Sequence, residues 1–264
     1  MPAARSVRGA FQDDGRESDM TSSDRTALVT GGSRGIGAAT ALRLTRDGAD
    51  VALTYVRDKE AADAVVRRIE GYGRRGVALR SDAADADAAG AAVHEAADAL
   101  GRLDVLVNNA GIGVLGPITQ LDPADVDRVL AVNVRAVFLA CRAAAERLAD
   151  GGRIISLGTA LSRYAGGPGA TLYALGKSAL AGLTKPLARE LGPRGITVNL
   201  IQPGPVDTDL NPADGPFAAA QRSATALDRF GTPDEVASLV AYLVSAEAAY
   251  ITGTEVVVDG GHAA

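Results

Sequence analysis

The chain has 264 residues, 47% of them hydrophobic and 22% charged, with a formal charge of −5 and a single cysteine, Cys141. That length buries a sizeable core as one large α/β domain or two small ones. The acidic balance, with no cluster of Lys and Arg, excludes nucleic acid as a general partner, because phosphate neutralisation needs clustered cations.

A lone cysteine excludes an intrachain disulfide and fits a reducing cytoplasm. Cys141 lies in the apolar run "AVFLACRAAAERL" and reads as a buried structural thiol. No stretch reaches the ~18 uninterrupted apolar residues of a membrane span, and no metal site is read from the chain. The expectation is a soluble cytoplasmic protein.

Residues 1–24 mix charged and small side chains without apolar periodicity or the apolar core of a signal peptide. They read as a disordered tail, with Met20 a second candidate start. From residue 25 to 264 short β-rich runs alternate with helical patterns, the signature of a parallel sheet wound with helices on both faces. Strands are expected at 26–30, 50–55, 76–82, 103–110, 152–159, 196–204 and 254–260. The Ala/Asp-rich stretch 81–100 reads as a helix with a solvated acidic face, and His94 within it is given no role. No repeat and no linker breaks this region, so one domain is expected.

The domain opens on "TGGSRGIG", residues 30–37, where a strand hands over to a helix. A glycine-rich turn there lets backbone N–H groups approach a phosphate, and the helix N-terminus adds about half a positive charge directed at it. No Gly-Lys-Ser/Thr follows, so the loop is not one that cradles a nucleoside triphosphate with Mg²⁺. A dinucleotide is the expected ligand.

Farther on, "YALGK" sets Tyr173 four residues before Lys177. On a helix these share a face, which brings the ammonium close to the phenol oxygen. A free tyrosine titrates near ~10, and a neighbouring positive charge favours the phenolate, moving that value toward working pH. Such a tyrosine gives a proton to a nascent alkoxide or takes one from an alcohol.

Taken with "NNAG" at 108–111, Asn133 and "PG" at 203–204, these motifs resemble the short-chain dehydrogenase/reductase family from about Thr26 to Gly261, and most of all its bacterial 3-oxoacyl-carrier-protein-reductase-type members. The resemblance implies a Rossmann-type, doubly wound domain with a seven-stranded parallel sheet, often assembled as a homotetramer. It implies a hydride transfer between a nicotinamide cofactor and a carbonyl. Gly31, Ser33, Arg34, Gly35, Ile36 and Gly37 would then hold the cofactor's phosphates, Asp82 and Ala83 would lie near the adenine, and Asn109, Ala110 and Gly111 would line the cofactor. Lys177 would also bond the nicotinamide ribose, and Asn133 would tie that lysine to a water chain. Pro203, Gly204, Val206 and Thr208 would meet the carboxamide end, and residues 210–221 would form a mobile lid with Leu161, Tyr164, Leu210 and Phe217 as its apolar face. Gly176 stands where the family commonly has serine.

An acid at the end of the second strand would bind the ribose hydroxyls of NAD and repel a 2′-phosphate. Tyr55 stands there instead, and Arg34 and Arg57 are candidate phosphate donors. NADP(H) is therefore expected over NAD(H). The third catalytic partner is open between Thr159 and Ser162: the commonest family spacing falls on Ala160, and one extra loop residue moves it to Thr159, the preferred reading. A small free ketone competes with an acyl thioester as substrate, since "LADGG" (148–152), read as a loop, offers an acidic carrier no basic patch. An NAD-dependent alcohol or sugar dehydrogenase and a nucleotide-binding regulator without turnover are the alternatives.

Overall fold

The computed structural model describes residues 25–165 and 167–264. The tail expected at 1–24 lies outside the described residues. Seven strands form one all-parallel sheet: β1 (Thr26–Val29), β2 (Asp50–Tyr55), β3 (Gly76–Arg80), β4 (Leu103–Asn108), β5 (Leu148–Leu157), β6 (Thr197–Pro203) and β7 (Glu255–Val258), in the order β3-β2-β1-β4-β5-β6-β7. This is the Rossmann-type domain expected.

The strands are mostly apolar because helices cover both faces. Helices α1 (Gly35–Arg46), α2 (Lys59–Gly71) and α8 (Pro233–Val244) close one side over Val29, Val51, Val107 and Ile155. Helices α3 (Ala88–Leu100), α5 (Ala136–Arg147) and α6 (Thr171–Leu191) close the other over Leu28, Leu106, Ile154 and Leu200. The helix α4 (Pro123–Leu130) precedes α5, and the short α7 (Ala218–Ser223) lies between β6 and α8. The strand order reverses between β1 and β4, so a crevice opens at their C-terminal ends, where ligands bind in such sheets. No described helix is long and apolar enough to cross a membrane.

Three expectations are corrected. The segment 148–152 is strand rather than loop: Leu148 pairs with Leu103, and a register shift between Leu103 and Val105 absorbs the extra residues. At the C-terminal end β7 stops at Val258, because Asp259 turns the chain by accepting the N–H groups of Gly261 and Ala263. In the Ala/Asp-rich stretch expected as helix over 81–100, only Ala88–Leu100 is helical, because Asp82 and Asp85 turn the chain before it by accepting the N–H groups of Ala84 and Asp87. Before α5, Ala131–Arg135 form a π-helical turn, a bulge of a kind frequent at functional sites, which carries Asn133.

Candidate functional site

The glycine loop leaves β1 and enters α1 beside β4. Gly31 and Gly35 take φ of +63° and +53°, which side chains resist. A Cβ on Gly37 would stand 2.3 Å from the Gly31 carbonyl oxygen, so only glycine lets the helix start this close. The N-cap of α1 is Arg34, and no side chain caps it. A 12-residue helix with an uncapped N-terminus beside a glycine cradle fits a dinucleotide pyrophosphate.

Ser33 and Ile36 are half-buried in this loop, and Arg34 is exposed. The Asn109 amide is spent on the loop itself, donating to the carbonyls of Thr30 at 2.9 Å and Gly31 at 3.1 Å. Ala110 bonds the Thr30 hydroxyl through its N–H. Tyr55 ends β2 buried, with Arg57 exposed two residues on. Neither nearby acid stands free at this end: Asp58 caps α2 through Ala61 N–H at 2.9 Å, and Asp50, at the start of β2, holds Arg74. Asp82 follows β3 exposed and accepts the N–H of Ala84, with Ala83 half-buried beside it.

The reacting groups sit at the ends of β5 and α6. Lys177 is buried at 6% exposure, and its ammonium donates to the Leu157 carbonyl at 2.8 Å. Burial pulls its pKa down to about 8. A Cβ on Gly111 would lie 2.9 Å from Lys177 Nζ and 3.3 Å from Asn133 Oδ1, so the "NNAG" glycine lets lysine and asparagine converge. Asn133 is fully buried and exchanges both amide bonds with the Ile112 backbone at 2.9 Å.

Burial pushes the Tyr173 phenol up, and a side-chain hydrogen bond with Thr159 works against it. The downward shift expected from Lys177 is thus overturned, because desolvation is the larger effect and the ammonium is aimed at Leu157. Thr159 follows β5 in extended backbone, buried, and its hydroxyl also accepts the N–H of Leu161 at 3.3 Å. The rival Ser162 is occupied elsewhere: its hydroxyl donates to the Thr159 carbonyl at 2.7 Å and accepts from Gln202 at 2.9 Å.

The far wall follows β6. Pro203 is buried at its end and Gly204 lies against Asp259. Val206 bridges to Gly231, and Thr208 bridges to Asn211 and packs on Gly35. In the expected lid, Asn211 and Gln221 exchange side-chain bonds at 2.8 and 3.0 Å, while Leu210, Phe217 and Tyr164 are exposed. Leu115 and Ile118, which the sequence did not single out, are exposed apolar residues in the segment after β4. Cys141 is buried as expected, accepting from Asn108, and burial lifts its thiol to about 12.

A glycine loop at the sheet's switch point, with a tyrosine and a buried lysine on one helix beside it, defines a Rossmann-type oxidoreductase. A family model described as enoyl-(acyl carrier protein) reductase matches residues 31–263. The chain is 54% identical to a short-chain dehydrogenase from Burkholderia cenocepacia solved in complex with NADP, covering 91% of this chain and 98% of that one with a TM-score of 0.90. It is 48% identical to a blue fluorescent protein from a metagenomic library solved with NADPH, at 91% and 98% coverage and a TM-score of 0.89. It is also 42% identical to the cyclic-di-GMP-binding biofilm dispersal mediator protein of Escherichia coli, over 91% of this chain and 98% of that relative. The chain belongs to the short-chain dehydrogenase/reductase family, and it is an enzyme of that oxidoreductase class.

Proposed function

We propose that the protein is an NADPH-dependent reductase of ketone carbonyls, acting on a small free ketone or a 3-oxoacyl thioester. The observation that carries this reading is the convergence of Thr159, Tyr173 and Lys177 beside the uncapped N-terminus of α1. NADP(H) is supported by Tyr55 in place of an acid at the end of β2, by the exposed Arg34 and Arg57, and by the bound cofactors of the B. cenocepacia and metagenomic structures.

When bound, NADPH supplies the hydride. Tyr173 gives its phenolic proton to the carbonyl oxygen, and Thr159 donates a hydrogen bond to that oxygen as negative charge builds on it. Lys177 holds positive charge beside the phenolate that remains, and Asn133 holds the Ile112 backbone next to Lys177. Gly31, Ser33, Arg34, Gly35, Ile36 and Gly37 would hold the phosphates of NADPH, and Val206 and Thr208 would meet its carboxamide end.

A homotetramer in the cytoplasm completes the proposal. Exposed apolar side chains on α5, α6 and α8, Phe138, Leu175 and Tyr242, support self-association, and the single cysteine fits a reducing compartment.

A second reading, a nucleotide-responsive regulator, is supported by the printed name of the E. coli relative. One experiment separates the readings: a panel of ketones, ketoesters and 3-oxoacyl thioesters assayed with NADPH and with NADH, and their alcohols with the oxidised cofactors. Turnover of a ketone with NADPH supports the reductase. Faster alcohol oxidation with NAD supports a dehydrogenase. NADPH binding with no turnover across the panel leaves the regulator.

A further inference from the structure

Thr159 stands where a regular strand gives way to a tight turn, a junction that by itself gives a side chain no fixed aim. Its backbone is extended, at φ −158° and ψ 145°, and a 3₁₀ turn at Ala160–Ser162 follows at once. The junction is clamped from outside. The Thr159 carbonyl receives both the N–H of Ser162 at 3.2 Å and the Ser162 hydroxyl at 2.7 Å. Gln202 Nε2 donates to that same hydroxyl oxygen at 2.9 Å, which leaves its proton for the Thr159 carbonyl.

Gln202, on β6, is 1% exposed, and two of the three bonds of its amide lead to this corner. Its Oε1 accepts from Arg163 Nε at 2.6 Å, and its Nε2 also donates to Glu255 Oε2 at 3.0 Å. Those partners fix which way the amide points: reversed, its oxygen would face the Glu255 carboxylate and its NH₂ the Arg163 guanidinium. Arg163 from the loop and Glu255 from β7 are the charged groups bonded to this amide, and Lys185 from α6 lies 3.5 Å from the other oxygen of Glu255. A buried amide with all its bonds made is a rigid support.

We propose that Gln202 is a positioning residue: it fixes Ser162, and through Ser162 it holds the Thr159 hydroxyl in place against Tyr173. This rests on the reading of Thr159 and Tyr173 as reacting partners. Pro203 and Gly204 follow directly, so the same strand end joins the proton-donating corner to the far wall of the cofactor crevice. The family resemblance assigned neither Gln202 nor Ser162 this part.

The test follows the Tyr173 phenol by NMR in protein labelled at tyrosine Cζ, with its signal among the six tyrosines assigned by Tyr173→Phe. Thr159→Val is expected to raise the Tyr173 pKa, because the hydrogen bond that lowers it is gone. Gln202→Met, similar in volume but without an amide, is expected to raise it in the same direction by on the order of half a pH unit. Combined with Thr159→Val it should add nothing, since its action passes through Thr159. Ser162→Ala should behave as Gln202→Met does, and it serves if that variant fails to fold. The proposal is overturned if Gln202→Met and Ser162→Ala leave the Tyr173 titration at its wild-type value while Thr159→Val raises it. It is also overturned if Gln202→Met shifts the titration equally in both backgrounds. A Tyr173 unmoved by Thr159→Val contradicts the reading of Thr159 itself, a distinct pattern that removes the chain of support with it.

Discussion

Lys177 Nζ donates to the carbonyl of Leu157, two residues before Thr159, so the strand end that carries the hydroxyl also anchors the ammonium. One backbone segment therefore sets the spacing of both groups around Tyr173. A shift of β5 would move them together.

That buried ammonium gives stability a pH dependence of known sign. The pKa of Lys177 is about 8 in the folded protein against 10.5 in water. Between those values the unfolded chain binds more protons, so this group's contribution to stability rises with pH and its penalty is constant below about pH 8. Urea unfolding of wild type and Lys177→Met without cofactor should show the wild type gaining on the order of 3 kcal/mol relative to the variant from pH 8 to 10.5. A pH-independent difference would show that Lys177 is solvated.

Arg34 lies 4.0 Å from Asp209, both exposed, an ion pair that contributes little to stability and leaves the guanidinium available to a ligand. Replacing Arg34 and Arg57 with alanine should weaken NADPH binding by about tenfold or more while changing NADH binding little, since only NADPH carries the extra phosphate. Fluorescence titration with both cofactors measures this. Equal weakening of the two would contradict the phosphate assignment.

Much of this was legible in the chain. The seven strands, the glycine loop and the Tyr173/Lys177 pair follow from local pattern, because period, turn glycines and an i, i+4 spacing are short-range signals. Relations set by contacts far apart in sequence were not. The π-helical turn at Asn133 and the strand character of 148–152 depend on neighbours the local sequence does not reveal. The direction of the Tyr173 shift depended on burial, which spacing cannot report. Gln202 read as one more strand residue, since nothing local distinguishes a buried amide bonded to a loop some 40 positions away.

Gly37→Ala tests the loop as a cradle. Its new Cβ would meet the Gly31 carbonyl oxygen at 2.3 Å and Asn109 Nδ2 at 2.5 Å, backbone on one side and the loop's own anchor on the other. A loss of about 1–3 kcal/mol in stability and of most dinucleotide affinity is expected, read by thermal unfolding with and without NADPH. Unchanged affinity would place the cofactor elsewhere.

The central claim is that Tyr173 donates the proton, and Tyr173→Phe tests it most directly because it removes one hydroxyl and keeps the ring. Measured with the best ketone of the substrate panel, turnover should fall by on the order of 10³-fold, while NADPH affinity stays within a few-fold of wild type. Turnover near the wild-type rate, with NADPH still bound, would contradict the account.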